Sequence, residues 1–178
     1  MTMALFPIIQ HAWVVPRLED GIHHWHRTLG IGPFLINRDI PVQDQRHRGR
    51  ASTTRFSTAV AQHGDVQIEL VEQLDDSPSA FRDTVPAGVM RHHHIAFMAE
   101  DFDAALAHYA ALGFHPATTG RFGDMRFAYV DTSAAMGHMV EIVEDKPNLR
   151  AFFAAIRKAA ERWDGNPDTL MRELGAPR

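Results

Sequence analysis

The feature that most constrains this chain is that part of it occurs twice. Setting His94 on His11 aligns two stretches 83 residues apart. Without a gap, Asp103 then falls on Asp20, Leu112-Gly113 on Leu29-Gly30, and Pro116 on Pro33. Apolar residues match at Val14/Phe97, Val15/Met98 and Ile31/Phe114. Self-similarity at a fixed spacing means one structural unit used twice. A unit of about 70 residues has a thin core by itself, so two copies sharing one core are expected.

Both copies read as βαβββ. In the first, alternation makes residues 8–15 a strand, ended by Pro16, with Ile9, His11, Trp13 and Val15 on one face. Residues 20–29 read as a helix that buries Ile22, Trp25 and Leu29 and stops at Gly30. A strand at 33–37, a polar loop at 41–50, and strands at 53–62 and 66–72 around a His63-Gly64-Asp65 turn complete the unit. The second copy has a strand at 92–98, then a helix capped by Asp101 and closed by Gly113. Strands at 116–121 and 125–131 meet at a Gly123-Asp124 turn, and 138–144 is the last strand. The modules are thus 1–72 and 92–146. The connector, 73–91, carries a short helix at 77–84. An extension, 147–178, opens with an amphipathic helix at 147–163 whose stripe is Leu149, Phe152, Phe153, Ile156 and Ala160. That helix is expected outside the sheet or at a dimer interface. Asp164-Gly165-Asn166-Pro167 breaks it, and 169–174 reads as a turn.

A net charge of −4 leaves no cationic footprint for nucleic acid. The basic run His47-Arg48-Gly49-Arg50 reads as a solvated loop. With 45% hydrophobic and 22% charged residues, disorder is not expected. The absence of cysteine excludes disulfide and thiolate chemistry. Residues 1–7 lack a signal-peptide pattern, and no run approaches the roughly 20 apolar residues of a membrane span. A soluble, cytoplasmic protein is expected, with neither nucleic acid nor membrane as partner. Twelve histidines is a high count, and only those at repeat-equivalent strand positions point to chemistry.

Alternation then assigns faces. In Val66-Gln67-Ile68-Glu69-Leu70, Gln67 and Glu69 oppose the apolar residues; in Met139-Val140-Glu141-Ile142-Val143, Glu141 opposes Val140 and Ile142. In the strand at 92–98, Ile95 and Phe97 oppose His92, His94 and Ala96. If helices cover the apolar faces, His11, Glu69, His94 and Glu141 point to the uncovered, concave side. Two imidazoles and two carboxylates suit a divalent metal. A six-coordinate ion held by four side chains keeps two positions for water or substrate. Such an ion polarises a carbonyl, and a glutamate moves the neighbouring proton.

The motifs Gln10-His11-Ala12, Leu29-Gly30-Ile31-Gly32-Pro33-Phe34, Gln67-Ile68-Glu69-Leu70, His93-His94-Ile95-Ala96-Phe97 and Met139-Val140-Glu141-Ile142 resemble the vicinal oxygen chelate superfamily. That superfamily contains glyoxalase I, methylmalonyl-CoA epimerase, extradiol dioxygenases and bleomycin-resistance proteins, and the resemblance covers roughly residues 8–145. It implies an α+β fold: two paired βαβββ modules forming an eight-stranded open cup, here with a C-terminal helical extension. The segment Ala159-Ala160-Glu161-Arg162-Trp163-Asp164-Gly165 resembles an extension of glyoxalase-like members. The resemblance further implies one divalent metal ion (Zn, Ni, Co, Mn or Fe) on His11, Glu69, His94 and Glu141, and a homodimer acting on a small-molecule substrate. Glu141 is the first choice for the proton-handling residue and Glu69 the second. Phe34, Arg126, Tyr129 and His138 are substrate-binding candidates, with Trp13 beside them; at most one of Arg126 and Tyr129 can face the cup. The activity implied is that of an isomerase or lyase acting on a small carbonyl, thioester or hydroxy-acid substrate through a metal-stabilised enediolate. The alternatives are an Fe(II) extradiol-type dioxygenase, which does not need Glu69, and a non-catalytic binding protein of the resistance type.

Overall fold

The computed structural model describes residues 7–174. Residues 1–6, within the stretch read for a targeting signal, and 175–178 of the extension lie outside the described residues. The first module runs β1 (Gln10–Val14), α1 (Leu18–Leu29), β2 (Phe34–Asn37), β3 (Gln43–His47), β4 (Arg50–Ala51), β5 (Phe56–His63) and β6 (Val66–Gln73). The connector forms α2 (Ala80–Thr84). The second module runs β7 (Arg91–Ala99), α3 (Phe102–Ala111), β8 (Pro116–Phe122), β9 (Met125–Val130), α4 (Ser133–Met136) and β10 (Met139–Glu144). Helix α5 (Pro147–Glu161) and strand β11 (Met171–Glu173) follow.

The two module helices start by different means. Asp101 caps α3 as expected, its carboxylate accepting from the Ala104 N–H at 2.9 Å. Helix α1 begins at Leu18, two residues before the sequence signal, because its N-terminus is capped from outside. The Glu72 carboxylate at the end of β6 accepts the Leu18 N–H at 2.8 Å, and Glu19 and Asp20 complement the helix dipole. The earlier start buries Leu18 fully beside Ile22. Gly30 ends the helix with φ 68°, a left-handed conformation that suits glycine.

The eleven strands among the described residues form one open mixed sheet in the order β11-β2-β5-β6-β1-β7-β10-β9-β8-β3-β4. The modules join within the chain through the antiparallel pair β1 and β7. Each module's first strand lies parallel to its last, β1 with β6 and β7 with β10. Strands β2 to β8 in that order supply the eight of the expected α+β cup. Helix α1 covers one half of the convex face through Leu18, Ile22, Ile68 and Leu70. Helix α3 covers the other through Phe97, Phe102, Ala105 and Ile142. The concave face holds a third cluster, including Val71, Phe81, Phe127, Tyr129 and Val143.

Three expectations are corrected. The polar loop at 41–50 is instead a hairpin, β3 with β4, that leaves its own module and pairs antiparallel with β8 of the other. Both strands are mostly exposed, so Gln43-Asp44-Gln45-Arg46-His47 shows no apolar alternation, and the charge of Arg50 on the edge strand β4 discourages further pairing. Salt bridges from Arg48 to Asp83 and Asp131, both 2.7 Å, pin its turn. The turn expected at 169–174 contains β11, which extends the opposite edge in parallel with β2. A Cβ on Gly32 would lie 2.6 Å from Trp163 and 2.8 Å from Leu170, so this close return of the chain requires glycine there. Third, α5 does not pack outside the sheet. Its Ile156, fully buried, sits with Phe152 against Leu35 and Val60 on the concave side of β2 and β5. Burying one such side chain contributes about 1.5–3 kcal/mol.

Candidate metal centre

The centre depends on an irregularity in β7. Along the β1·β7 ladder Ala12 pairs with His94 but Trp13 pairs with His92, so His93 is an extra residue in its strand. A bulge lets two consecutive side chains point the same way. His93 and His94 accordingly both lie on the concave side, fully buried, with rings against Tyr129 at 5.6 and 5.0 Å. His92, expected beside His94, is turned to the convex side. Its ring meets Trp13 at 4.8 Å, His138 at 5.3 Å and His11 at 5.7 Å.

Strands β6 and β10, on either side of the central pair, bring Glu69 and Glu141 to His94. The His94 Nε2 lies 3.4 Å from a Glu69 oxygen and 3.3 Å from a Glu141 oxygen. The three ligand atoms are all within 4.8 Å of one another. Despite its burial, His94 Nε2 makes no hydrogen bond among the described residues. A buried nitrogen left over between two carboxylates is what a cation would satisfy, so this donor set fits a divalent metal.

The other ring nitrogen of His94 has its partner. His93 Nε2 is 3.0 Å from the Ala80 carbonyl, which can only accept, so this nitrogen carries a hydrogen. Burial, then the neighbouring His94, pushes the His93 imidazole down to about 3, and the ring is neutral. Its Nδ1 therefore accepts, and His94 Nδ1–H donates to it at 2.8 Å. This leaves His94 Nε2 as the metal-facing atom, in the manner of outer partners that fix a ligand's tautomer. Burial alone would lower the His94 pKa, but the carboxylates of Glu141 and Glu69 beside it outweigh burial and raise the imidazole to about 9. A cation taking Nε2 thus displaces a proton. Burial and the charge of Glu141 raise the Glu69 carboxyl, against the opposing pull of His94.

His11 is not part of this group. Its cross-strand partner is Ile95, on the convex side, and its ring lies near Trp13 and His92. The pairings show why the repeat misled. Ala12 lies beside Glu69 and Ala96 beside Glu141, so the first strands correspond at a separation of 84, not 83, and Gln10 is the counterpart of His94. A slip of one residue moves a side chain to the other face. Gln10 faces the cavity, and its Nε2 donates to Gln67 Oε1 at 3.2 Å.

Of the substrate-binding candidates only Tyr129 lines the cavity. Burial first, then the charges of Glu141 and Glu69, raise its phenol well above the ordinary value. Arg126 is on the convex side, bridging Asp103 and Glu144 at 3.0 Å each over the Phe102 ring. Phe34 is fully buried under α1, Trp13 stacks edge-on to Trp25 at 4.6 Å, and His138 lies against His92. Gln10, His93 and the α5 residues at the cavity escaped the sequence reading. The helix starts carried a usable signal for Gln10, since Arg17 before α1 and Asp101 before α3 are themselves 84 apart.

The cavity has a volume of about 280 Å³. Glu69, Glu141, Gln10 and Tyr129 line it together with Phe152 and Phe153 of α5. The result is a polar, metal-ready floor under largely apolar walls. Among the described residues no helix is long and apolar enough to cross a membrane.

Solved structures share this fold at low identity. The methylmalonyl-CoA epimerase of Mycobacterium tuberculosis is 20% identical, with a TM-score of 0.55 over 85% of this chain and 96% of its own. A hypothetical protein from Bacillus halodurans is 18% identical, with 0.56 over 80% and 96%. A Streptomyces coelicolor methylmalonyl-CoA epimerase in complex with 2-nitronate-propionyl-CoA is 17% identical, with 0.52 over 81% and 97%. These likenesses concern the fold. No curated protein matches the chain. The sequence model of one superfamily matches residues 9–129, more than half of the chain. With the repeat, the paired modules and the glutamates flanking His94 in place, the chain belongs to the Glyoxalase/Bleomycin resistance protein/Dioxygenase superfamily.

Proposed function

We propose that this protein is a divalent-metal-dependent isomerase or lyase of the glyoxalase and epimerase type, acting on a small carbonyl, thioester or hydroxy-acid substrate. The observation that carries the reading is His94 Nε2, buried between the carboxylates of Glu69 and Glu141 and without a hydrogen bond among the described residues. These three side chains would hold the ion, with the Gln10 amide oxygen as the fourth donor in place of His11. One imidazole with oxygen donors is a harder set than the two-histidine site first expected, and suits Mn, Co, Ni or Zn. A bound ion supplies Lewis acidity toward a substrate carbonyl. The chain supplies the base: Glu141 first, Glu69 second, takes the proton from the carbon beside that carbonyl. Tyr129, kept protonated beside both carboxylates, would donate a hydrogen bond toward Glu141.

Elemental analysis of untagged protein purified without chelators, beside Glu69→Ala, tests this. Near-stoichiometric Mn, Co, Ni or Zn that falls sharply in the variant supports the reading. Iron held equally by both would favour the dioxygenase alternative. Protein that takes up no metal even on reconstitution would leave a small-molecule binder without metal chemistry.

A further inference from the structure

The extension places α5 across the cup, and the cavity is smaller for it. Leu149 packs with the concave cluster, Phe152 with Leu35 and Val60, and both line the cavity with Phe153. Opposite them stand Ile40, Val42, Phe127 and Val143. The most exposed polar lining residues, Asp124 and Asn148, belong to the rim. Ligand pockets commonly span about 300–1,000 Å³, so a cavity of about 280 Å³ is at the small end. Beyond Ile9 and Phe153, which line both spaces, runs a shallower groove carrying Arg150, Arg157, Lys158 and Arg162. Two of these cations already face acids: Arg150 pairs with Asp145, and Arg157 with Asp65 at 3.4 Å. A tail reaching that cationic groove from the cavity would pass Ile9 and Phe153, which line both.

We infer that α5 is a specificity-determining roof, and that the substrate is a compact oxygen-chelating carbonyl compound with an aryl or branched-alkyl body, not a carrier-bound thioester. The inference rests on the proposed metal centre for its chelating end. Its apolar end rests on the roof alone. An aromatic body fills the space between Phe152 and Phe153 and the far wall, where removal of apolar surface from water is its source of affinity.

The test uses full-length protein loaded with Co(II), its metal content measured, and two bidentate probes differing by a phenyl group: benzohydroxamate and acetohydroxamate. Calorimetry should give at least about tenfold tighter binding of benzohydroxamate, as burial of an aromatic ring predicts. In Phe152→Ala/Phe153→Ala, with cobalt content unchanged, the preference should fall to within about threefold, since most of the buried ring contact is gone. The single variant Phe153→Leu, which keeps the apolar volume, should retain most of it and guards against misfolding of the double variant. Propionyl-CoA should not displace benzohydroxamate from the wild type. Equal affinity for the two probes, an unchanged preference in the double variant, or displacement by propionyl-CoA overturns the roof. Wild-type protein that holds no cobalt overturns the metal centre and the chelating substrate with it, whereas cobalt-loaded protein without the preference overturns the roof alone.

Discussion

The two modules use the same strand order but place their histidines on opposite faces. In the second, β7 turns His94 inward within 3.3 Å of Glu141; in the first, β1 turns His11 outward and presents Gln10 to the cavity that Glu69 also lines. The last strands correspond at a separation of 72, Glu69 to Glu141 and Glu72 to Glu144. Even there the roles diverge, because Glu72 caps α1 whereas Glu144 pairs with Arg126 and Lys146. Duplication thus preserved the backbone while the site became asymmetric: one imidazole, two carboxylates and one amide.

The sharpest way to break this comparison is to remove each histidine in turn. His94→Ala should lower metal affinity by more than the roughly 10–100-fold that loss of an outer partner costs, while His11→Ala leaves it unchanged. Gln10→Ala should fall between them. Chelator-competition titrations read all three, and a loss in His11→Ala equal to that in His94→Ala would restore the symmetric site.

A smaller effect is expected at His93, which has no counterpart in β1. His93→Phe keeps a ring in the bulge but removes the acceptor for His94 Nδ1–H, and affinity should drop by about 10-fold or more. His93→Gln, able to accept from His94 and donate to the Ala80 carbonyl, should recover part of it. If His93→Phe binds metal as the wild type does, the tautomer is set by something else.

The smallest effect separates Glu144 from Glu72. Hydrogen bonding from Arg126 holds the Glu144 carboxyl at about 2, against an opposing effect of burial. Its folded pKa lies below the ordinary 4.5, so the stability it contributes is present above that value and is lost as pH falls toward 2. Arg126→Ala should therefore lower the thermal midpoint at pH 7, by an amount consistent with about 1 kcal/mol or less for a pair this exposed. The difference from wild type should close as the pH approaches 2, and a difference that persists there would assign the effect to packing on Phe102.

Much of the fold was legible in the sequence because its signals are local. Gly30 and Gly113 close helices, Asp101 caps one, and the alternation around Glu69 and Glu141 shows which way each carboxylate faces. The bulge was not legible. Three consecutive histidines read as ordinary alternation put His92 with His94, and nothing in the triplet marks His93 as the extra residue; the ladder against β1 creates it. Arg126 could not be placed either, since its position depends on Asp103 and Glu144 converging from another helix and strand.

By itself, then, the sequence determined two βαβββ units, the inward glutamates and His94, because periodicity and capping depend on neighbours a few residues away. Only the tertiary structure decided that Gln10 and not His11 faces the floor, that β3 and β4 extend the partner module, and that α5 roofs the cup. Each of these is a matter of register or docking between segments distant in the chain. There a shift of a single residue, about 3.3 Å along a strand, reverses which side chain meets the site.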